Sequence, residues 1–456
     1  EARSLSYEEF WRDFMERNEP VVISGITDGW KAASEWVEVP RSDGNASART
    51  ALQKSPALAA LEASFGDEKV CVAFCGEKHF SDQRREEVRL AEFIQEWRSI
   101  IHDRRTHSAC PEEAPGDASE GAPSTSDRPS GADKSTSDRG GDGWQDRVRK
   151  ILAKELRGLR GAERRGEAWE GFVEERLGRL PYCKDWHFAR QFKGCGAYSL
   201  PVYFSEDWLN RYYDENPALG DDYRFCYMGP AGTWTPLHRD VMRSFSWSAN
   251  IAGRKLWILF PEEHDALLRD ARGDLTWDAT SSSAAPPQFP EIAKAEPLVV
   301  IQHPGEAIFV PSKWCHQVVN LDDCVSINHN WINSCNLHHA VDQLLADHFE
   351  VQESISNLAD TEDFPQTCEG LLGAHAGITL ASFLAFLTSN LASETHRLDG
   401  EASRFRLLEL ADAIRRVEQL PHALLLSTAG VLPPSSLPEA EAALARLDDD
   451  LSRLTT

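Results

Sequence analysis

Thr235-Pro236-Leu237-His238-Arg239-Asp240 is the stretch on which the reading of the fold turns. In an extended strand, residues i and i+2 project from one face, so His238 and Asp240 can aim at a single point. One imidazole and one carboxylate need a third partner from elsewhere in the chain. A candidate stands 78 residues on (316 − 238), at the end of Pro304-Gly305-Glu306-Ala307-Ile308-Phe309-Val310-Pro311-Ser312-Lys313-Trp314-Cys315-His316. There a Pro-Gly-Glu turn feeds an apolar strand, and a Pro-Ser-Lys turn presents His316 at the start of the next one.

Two His and one carboxylate form the facial triad of non-haem Fe(II) oxygenases. Three ligands on one face leave three coordination positions, two for a keto acid such as 2-oxoglutarate and one for O2. Taken singly each signal is weak: a His-x-Asp pair arises by chance, and a lone barrel histidine is more often packed than ligating. Their combination with flanking turns points to a metal site. A keto acid chelated there leaves its far carboxylate inside the protein, where a cation must meet it. Lys255, in Gly253-Arg254-Lys255-Leu256-Trp257-Ile258-Leu259-Phe260-Pro261, shares strand parity with Trp257 and Leu259 and is expected to point inward.

Around these motifs, strand-like runs alternate with turns from Tyr182 to Trp331, as a β-sandwich or barrel requires. They include Tyr223–Met228, Leu256–Phe260, Leu298–Gln302, Ala307–Val310, His316–Asn320 and Cys324–Asn330. Upstream, Phe10, Trp11 and Phe14 are spaced for a helical face, Val21-Val22-Ile23 and Val70–Phe74 read as strands, and Leu90 to Ile101 as an amphipathic helix. Pro111 to Gly143 contains no Val, Ile, Leu or aromatic residue, so it cannot bury enough surface to order itself. Helical texture resumes over Val148 to Leu177 and again downstream, at Val341–Leu345, Leu371–Leu391, Phe405–Leu420 and Ala440–Leu454. The expected organisation is an N-terminal part of the catalytic domain at 1–102, a disordered insertion at 103–147, the catalytic core at 148–345 and a C-terminal helical region at 346–456.

Lys plus Arg total 48 against 73 Asp plus Glu, a net charge of −25. Such a field repels phosphate backbones and attracts basic partners, so a basic protein substrate suits the chain better than nucleic acid. The 10 Cys are scattered and form no zinc-finger spacing. No apolar run has the length of a membrane span and no signal-peptide core is evident, which leads us to expect a cytoplasmic protein, with the nucleus as a second possibility.

Met228-Gly229-Pro230, the Thr-Pro-x-His-x-Asp run, Gly-Arg-Lys-x-Trp-x-x-Phe-Pro, Pro-Gly-Glu-x-x-x-Val-Pro-x-x-Trp-x-His and Ser326-Ile327-Asn328-His329-Asn330-Trp331 follow one another in this order. This series resembles the JmjC family of double-stranded β-helix oxygenases, from about Tyr7 to Asp342. The resemblance implies a mainly β, cupin-type core with N-terminal flanking elements, Fe(II) held by His238, Asp240 and His316, and 2-oxoglutarate and O2 as co-substrates. It places the 2-oxoglutarate lysine at Lys255 and a hydroxyl donor at Thr235. A polar group of the last core strand falls on Asn328, where relatives often carry Thr, and an upstream tyrosine falls on Tyr182. Within the family the likeness is to lysyl hydroxylases of a translation release factor, which implies such a factor as the partner. A JmjC N-methyl-lysine demethylase would share every cofactor residue. A cupin-like binding protein without turnover would need neither Lys255 nor Thr235.

Overall fold

The structure, a computed structural model, describes residues 5–38, 54–79, 82–108, 143–156, 179–396, 401–420 and 437–454. In chain order the strands are β1 (Val21–Ser24), β2 (Val37–Glu38), β3 (Ser55–Pro56), β4 (Lys69–His79), β5 (Asp82–Arg89), β6 (Pro181–Trp186) and β7 (Arg224–Gly229). They continue with β8 (Trp234–His238), β9 (Phe245–Ala252), β10 (Lys255–Phe260), β11 (Leu298–Gln302), β12 (Glu306–Val310), β13 (Cys315–Asn320) and β14 (Cys324–Trp331). One sheet has the order β1-β12-β9-β14-β7-β6-β4-β5 and a second the order β11-β10-β13-β8. From β7 to β14 the chain passes back and forth between the two, the winding of a double-stranded β-helix.

Interior side chains of both sheets meet: Trp257, Leu259 and Val318 of the smaller sheet pack with Ile308 and Val310 of the larger. The opposite parity of β10, Leu256, Ile258 and Phe260, packs instead with Trp144, Val148 and Leu152 of the helix Trp144–Glu155. Both faces of β10 are thus covered, which is why its sequence is almost continuously apolar rather than alternating. Gly253 turns the chain from β9 into β10 at φ 73°, where an added Cβ would come within 2.3 Å of the Asp323 carbonyl oxygen.

The outer face of the larger sheet is covered by N-terminal elements, with Phe10, Trp36, Phe93 and Trp97 in one cluster with Trp247, Ile327 and Trp331. A separate cluster joins Trp208, Leu209, Tyr212 and Ile332 to the C-terminal helices, Leu337–Ser354, Phe364–Ala376, Leu380–Thr395, Glu401–Glu418 and Leu437–Leu454. Among the described residues no single helix is long and apolar enough to cross a membrane.

The strands named between Tyr223 and Asn330 appear within a residue or so of their expected ends, the strand expected to end at Phe74 runs on to His79, and the structure adds β2, β3, β5, β6 and β9. β5 (Asp-Gln-Arg-Arg-Glu-Glu-Val-Arg) carries too many charges to read as a strand, and it lies at the edge of the sheet, where such residues face water. The single helix expected over Leu371–Leu391 is corrected to two, bent by 72°. Gly377 ends the first in the left-handed region, and Thr379 starts the second with a capping box to Ser382. The helix from Leu90 extends to Ser108 and the next begins at Trp144, so both ends of the expected 103–147 insertion are helical. Its middle, 109–142, and the helical reading of 157–178 lie outside the described residues.

Candidate metal and co-substrate site

His238 ends β8 and pairs in register with His316 of β13, their rings 4.3 Å apart. Asp240 lies two residues beyond, and its extended backbone (φ −64°, ψ 148°) keeps the strand alternation. One donor atom from each of the three lies within 4.8 Å of the others, with His316 Nε2 4.0 Å from Asp240 Oδ2. The second nitrogen of each ring faces a backbone carbonyl, His238 Nδ1 at 2.8 Å from Pro236 O and His316 Nδ1 at 3.3 Å from Trp314 O. Each Nδ1 is thereby placed to donate, and each Nε2 lone pair is left for a metal. Burial, and then the neighbouring His316, push His238 below the ordinary imidazole range, which favours the neutral ring. Ser246 Oγ donates to Asp240 Oδ2 at 2.6 Å and fixes the carboxylate. Two imidazoles and one carboxylate, without a thiolate, fit Fe(II) with open positions.

The turns that carry the ligands are strained and locked together. Met242 and Arg243, just after Asp240, and Lys313, just before His316, have φ of 52°, 51° and 67°. Ser312 Oγ donates to Arg243 O at 2.6 Å, tying one turn to the other. Asn18 clamps Ser312 from outside, accepting from its N–H and donating to its carbonyl, both at 2.9 Å.

A cavity of about 530 Å³ runs from this group into the space between the sheets. Thr235, Lys255, Asn328 and Tyr182 all line it, so the structure brings every residue singled out from the sequence to one cavity. Lys255 lies four residues along β10 from Leu259, the partner of His316 in the register, which is roughly 13 Å along the strand. It is 2% exposed and forms no ion pair among the described residues. Its Nζ donates to Ser326 Oγ at 2.7 Å, and burial lowers it to about 8. Asn328 Nδ2 donates to the same hydroxyl at 3.0 Å. Burial raises the Tyr182 hydroxyl well above its ordinary range. A buried ammonium with one neutral partner fits the far carboxylate of a dicarboxylic acid.

Sequence reasoning missed Ser246, Ser326 and Asn18. Ser326 was accessible, because it shares strand parity with Asn328 two residues on. Asn18 was not, since only the tertiary fold brings residue 18 to residue 312. Two other groups among the described residues could gather three metal donors. In one, Asp222 is committed to His187 at 2.5 Å and to Arg224 at 2.9 Å. The other, Asp347, Glu350 and His375, lies on the surface apart from the cavity.

A double-stranded β-helix with a two-histidine, one-carboxylate centre beside a buried lysine defines a class, the 2-oxoglutarate-type oxygenases. The family described as "JmjC domain, hydroxylase" matches residues 225–331. The chain is 34% identical over 392 residues to the 2-oxoglutarate and iron-dependent oxygenase JMJD4 of Danio rerio, a match spanning 84% of this chain and 72% of that protein. With the JMJD4 of Homo sapiens it shares 33% over 391 residues, 85% of this chain and 74% of the relative. The Arginine-specific demethylase JMJ20 of Arabidopsis thaliana is 32% identical over 406 residues, 85% of this chain and 68% of the relative. The chain belongs to the JmjC family of iron- and 2-oxoglutarate-dependent oxygenases.

Proposed function

We propose that this protein is a lysyl hydroxylase that acts on a basic segment of a translation release factor. The observation that carries the enzyme class is the convergence of His238, Asp240 and His316 with the unpaired Lys255 on one cavity. When bound, iron and 2-oxoglutarate supply the oxidation: O2 is consumed, 2-oxoglutarate becomes succinate and CO2, and one oxygen atom enters a substrate C–H bond.

The chain's own residues bind and orient. His238 and His316 would offer their Nε2 lone pairs, with each Nδ1 against a backbone carbonyl, and Ser246 holds the Asp240 carboxylate by a hydrogen bond. Lys255 would meet the far carboxylate, with the Thr235 hydroxyl from the same sheet and the Asn328 amide from the facing one lining the same cavity. Trp257 and Val318 line the cavity, the Trp257 ring beside that of His316 at 5.8 Å between centroids.

The likeness to the JMJD4 proteins, named as 2-oxoglutarate and iron-dependent oxygenases, supports the oxygenase class; the lysyl reading rests on the motif resemblance given above and on the net charge of −25, which suits a Lys-rich partner. A second reading, demethylation, is favoured by the likeness to JMJ20, named for arginine-specific demethylation. Both begin with oxygen insertion at a C–H bond, but an N-methyl carbon so oxidised leaves as formaldehyde. Mass spectrometry separates them on paired peptides of the release factor, with unmodified lysine or with methylated lysine or arginine. A stable added oxygen on the unmodified lysine supports the hydroxylase. Loss of methyl groups with formaldehyde, and no oxygen on the unmodified peptide, contradicts it.

A further inference from the structure

Asn18 stands between the helical residues 7–15 and β1. β1 pairs antiparallel with β12, Val21 opposite Phe309. Three residues further along each chain, the same register sets Asn18 opposite Ser312, in the turn that leads to His316. The backbone ladder does not continue there, because Asn18 has left the strand at φ 56°, a left-handed conformation that Asn tolerates better than most residues. Its side chain takes over. A primary amide offers an N–H donor and a carbonyl acceptor, as a peptide group does. That of Asn18 makes both bonds a ladder partner would make: Oδ1 accepts from the Ser312 N–H and Nδ2 donates to Ser312 O, each at 2.9 Å. Ser312 is fully buried, and neither of these backbone groups has another partner among the described residues. Left unmade, both bonds would be costly.

Asn18 also reaches the third ligand in two steps. Its backbone carbonyl accepts from Trp314 Nε1 at 3.0 Å, and the Trp314 carbonyl faces His316 Nδ1 at 3.3 Å. Between Ser312 and Trp314, Lys313 sits at φ 67°, a conformation that a lysine holds only when its surroundings impose it. The Lys313 carbonyl accepts from Arg239 Nε at 3.2 Å, and Arg239 separates His238 from Asp240 in the chain. Ser312 Oγ donates to Arg243 O at 2.6 Å. The turn before His316 is thus tied both to the 238–243 segment, which carries the other two ligands, and to residue 18.

We propose that Asn18 is a positioning residue of the metal centre, holding the 311–314 turn so that His316 aims at the point shared by His238 and Asp240. The inference rests on the iron reading given above. A ligand already held in place loses little freedom when the metal binds, so a partner one bond removed tunes affinity without touching the ion. The N-terminal segment, outside the residues 225–331 that match the family, is then a working part of the site.

The test is Mn(II) binding to the full chain, followed by the paramagnetic resonance of the free ion, with Asn18→Gly as the probe. Glycine accepts φ 56° without strain, so this variant removes only the amide. Mn(II) should bind it roughly ten- to a hundred-fold more weakly. Amide hydrogen exchange over residues 311–316 should quicken at the same time. Thr379→Ala is the control: it loses the capping box of the helix Leu380–Thr395, which lowers stability without touching the turn, and it should bind Mn(II) as the wild type does. If Asn18→Gly does not fold, Asn18→Asp keeps an acceptor for the Ser312 N–H but sets a carboxylate against the Ser312 carbonyl, and should also weaken Mn(II) binding. Unchanged Mn(II) affinity in the folded Asn18 variant, or an equal loss in Thr379→Ala, overturns the proposal. Failure of the wild-type protein to bind Mn(II) would instead sink the metal reading, and this proposal with it.

Discussion

Lys255 shows how one residue can make a site detectable before any ligand is considered. Burial lowers it from the ordinary lysine value to about 8, so between pH 8 and the unfolded value of 10.5 the unfolded chain binds more protons than the folded one. Its stability cost is therefore complete below about pH 8 and is relieved as pH rises toward 10.5. Co-substrate binding should show the opposite trend, because only the ammonium attracts a carboxylate. We expect 2-oxoglutarate affinity to fall above about pH 8, approaching about tenfold per pH unit, and this fall to disappear in Lys255→Met. A pH-independent affinity up to pH 10 would place the charge elsewhere. Ser326 gives a second residue-scale expectation, since its hydroxyl accepts from both Lys255 and Asn328. Ser326→Ala should lower the stability of the ligand-free protein by about 1–3 kcal/mol, with part recovered on adding 2-oxoglutarate. Chemical denaturation with and without the co-substrate measures both.

At the scale of elements, the hairpin from β9 to β10 sets where Lys255 falls. Gly253→Ala should destabilise the protein by about 1–3 kcal/mol or more, because neither its φ of 73° nor the nearby Asp323 carbonyl accommodates a side chain. An unchanged melting temperature would contradict this. Gly229 is tight in a different way, with Tyr182 Cδ2 at 2.7 Å and Thr233 Oγ1 at 3.0 Å from an added Cβ. What could be read in the sequence follows from how local each signal is. His238 and Asp240 share a strand face, and His316 follows a turn with its own signature, so short-range rules reach them. Ser246 and Asn18 act through contacts made only by the fold. β5 is charged because it is an edge, and edges lack the apolar alternation that marks strands. The break at Gly377 is written in the sequence as Gly-Ile-Thr, but a continuous apolar run on both sides hides it.

For the whole molecule, the larger questions are how the C-terminal helices relate to the core and how charge guides a partner. Helices from Leu337 onward share one cluster with Trp208, Leu209, Tyr212 and Ile332, next to the last core strand. Removing residues 356–456 would expose those side chains, so we expect the shortened chain to be insoluble or to bind hydrophobic dyes. A soluble, fully active truncation would show that the helices are an independent unit. The charge of −25 predicts that a Lys-rich peptide binds more weakly as ionic strength rises, whereas a partner held by apolar contacts would not respond. That His238, Asp240 and His316 hold iron with room for a keto acid is the condition on which the whole site depends. It is tested most directly by titrating the anaerobic, Fe(II)-loaded protein with 2-oxoglutarate and following the visible charge-transfer absorption of a chelated keto acid. One iron per chain is expected, with a saturable band that is absent in His238→Ala while the variant keeps its fold by circular dichroism. Full iron loading with the same band in His238→Ala, or no band in the wild-type protein, would contradict it.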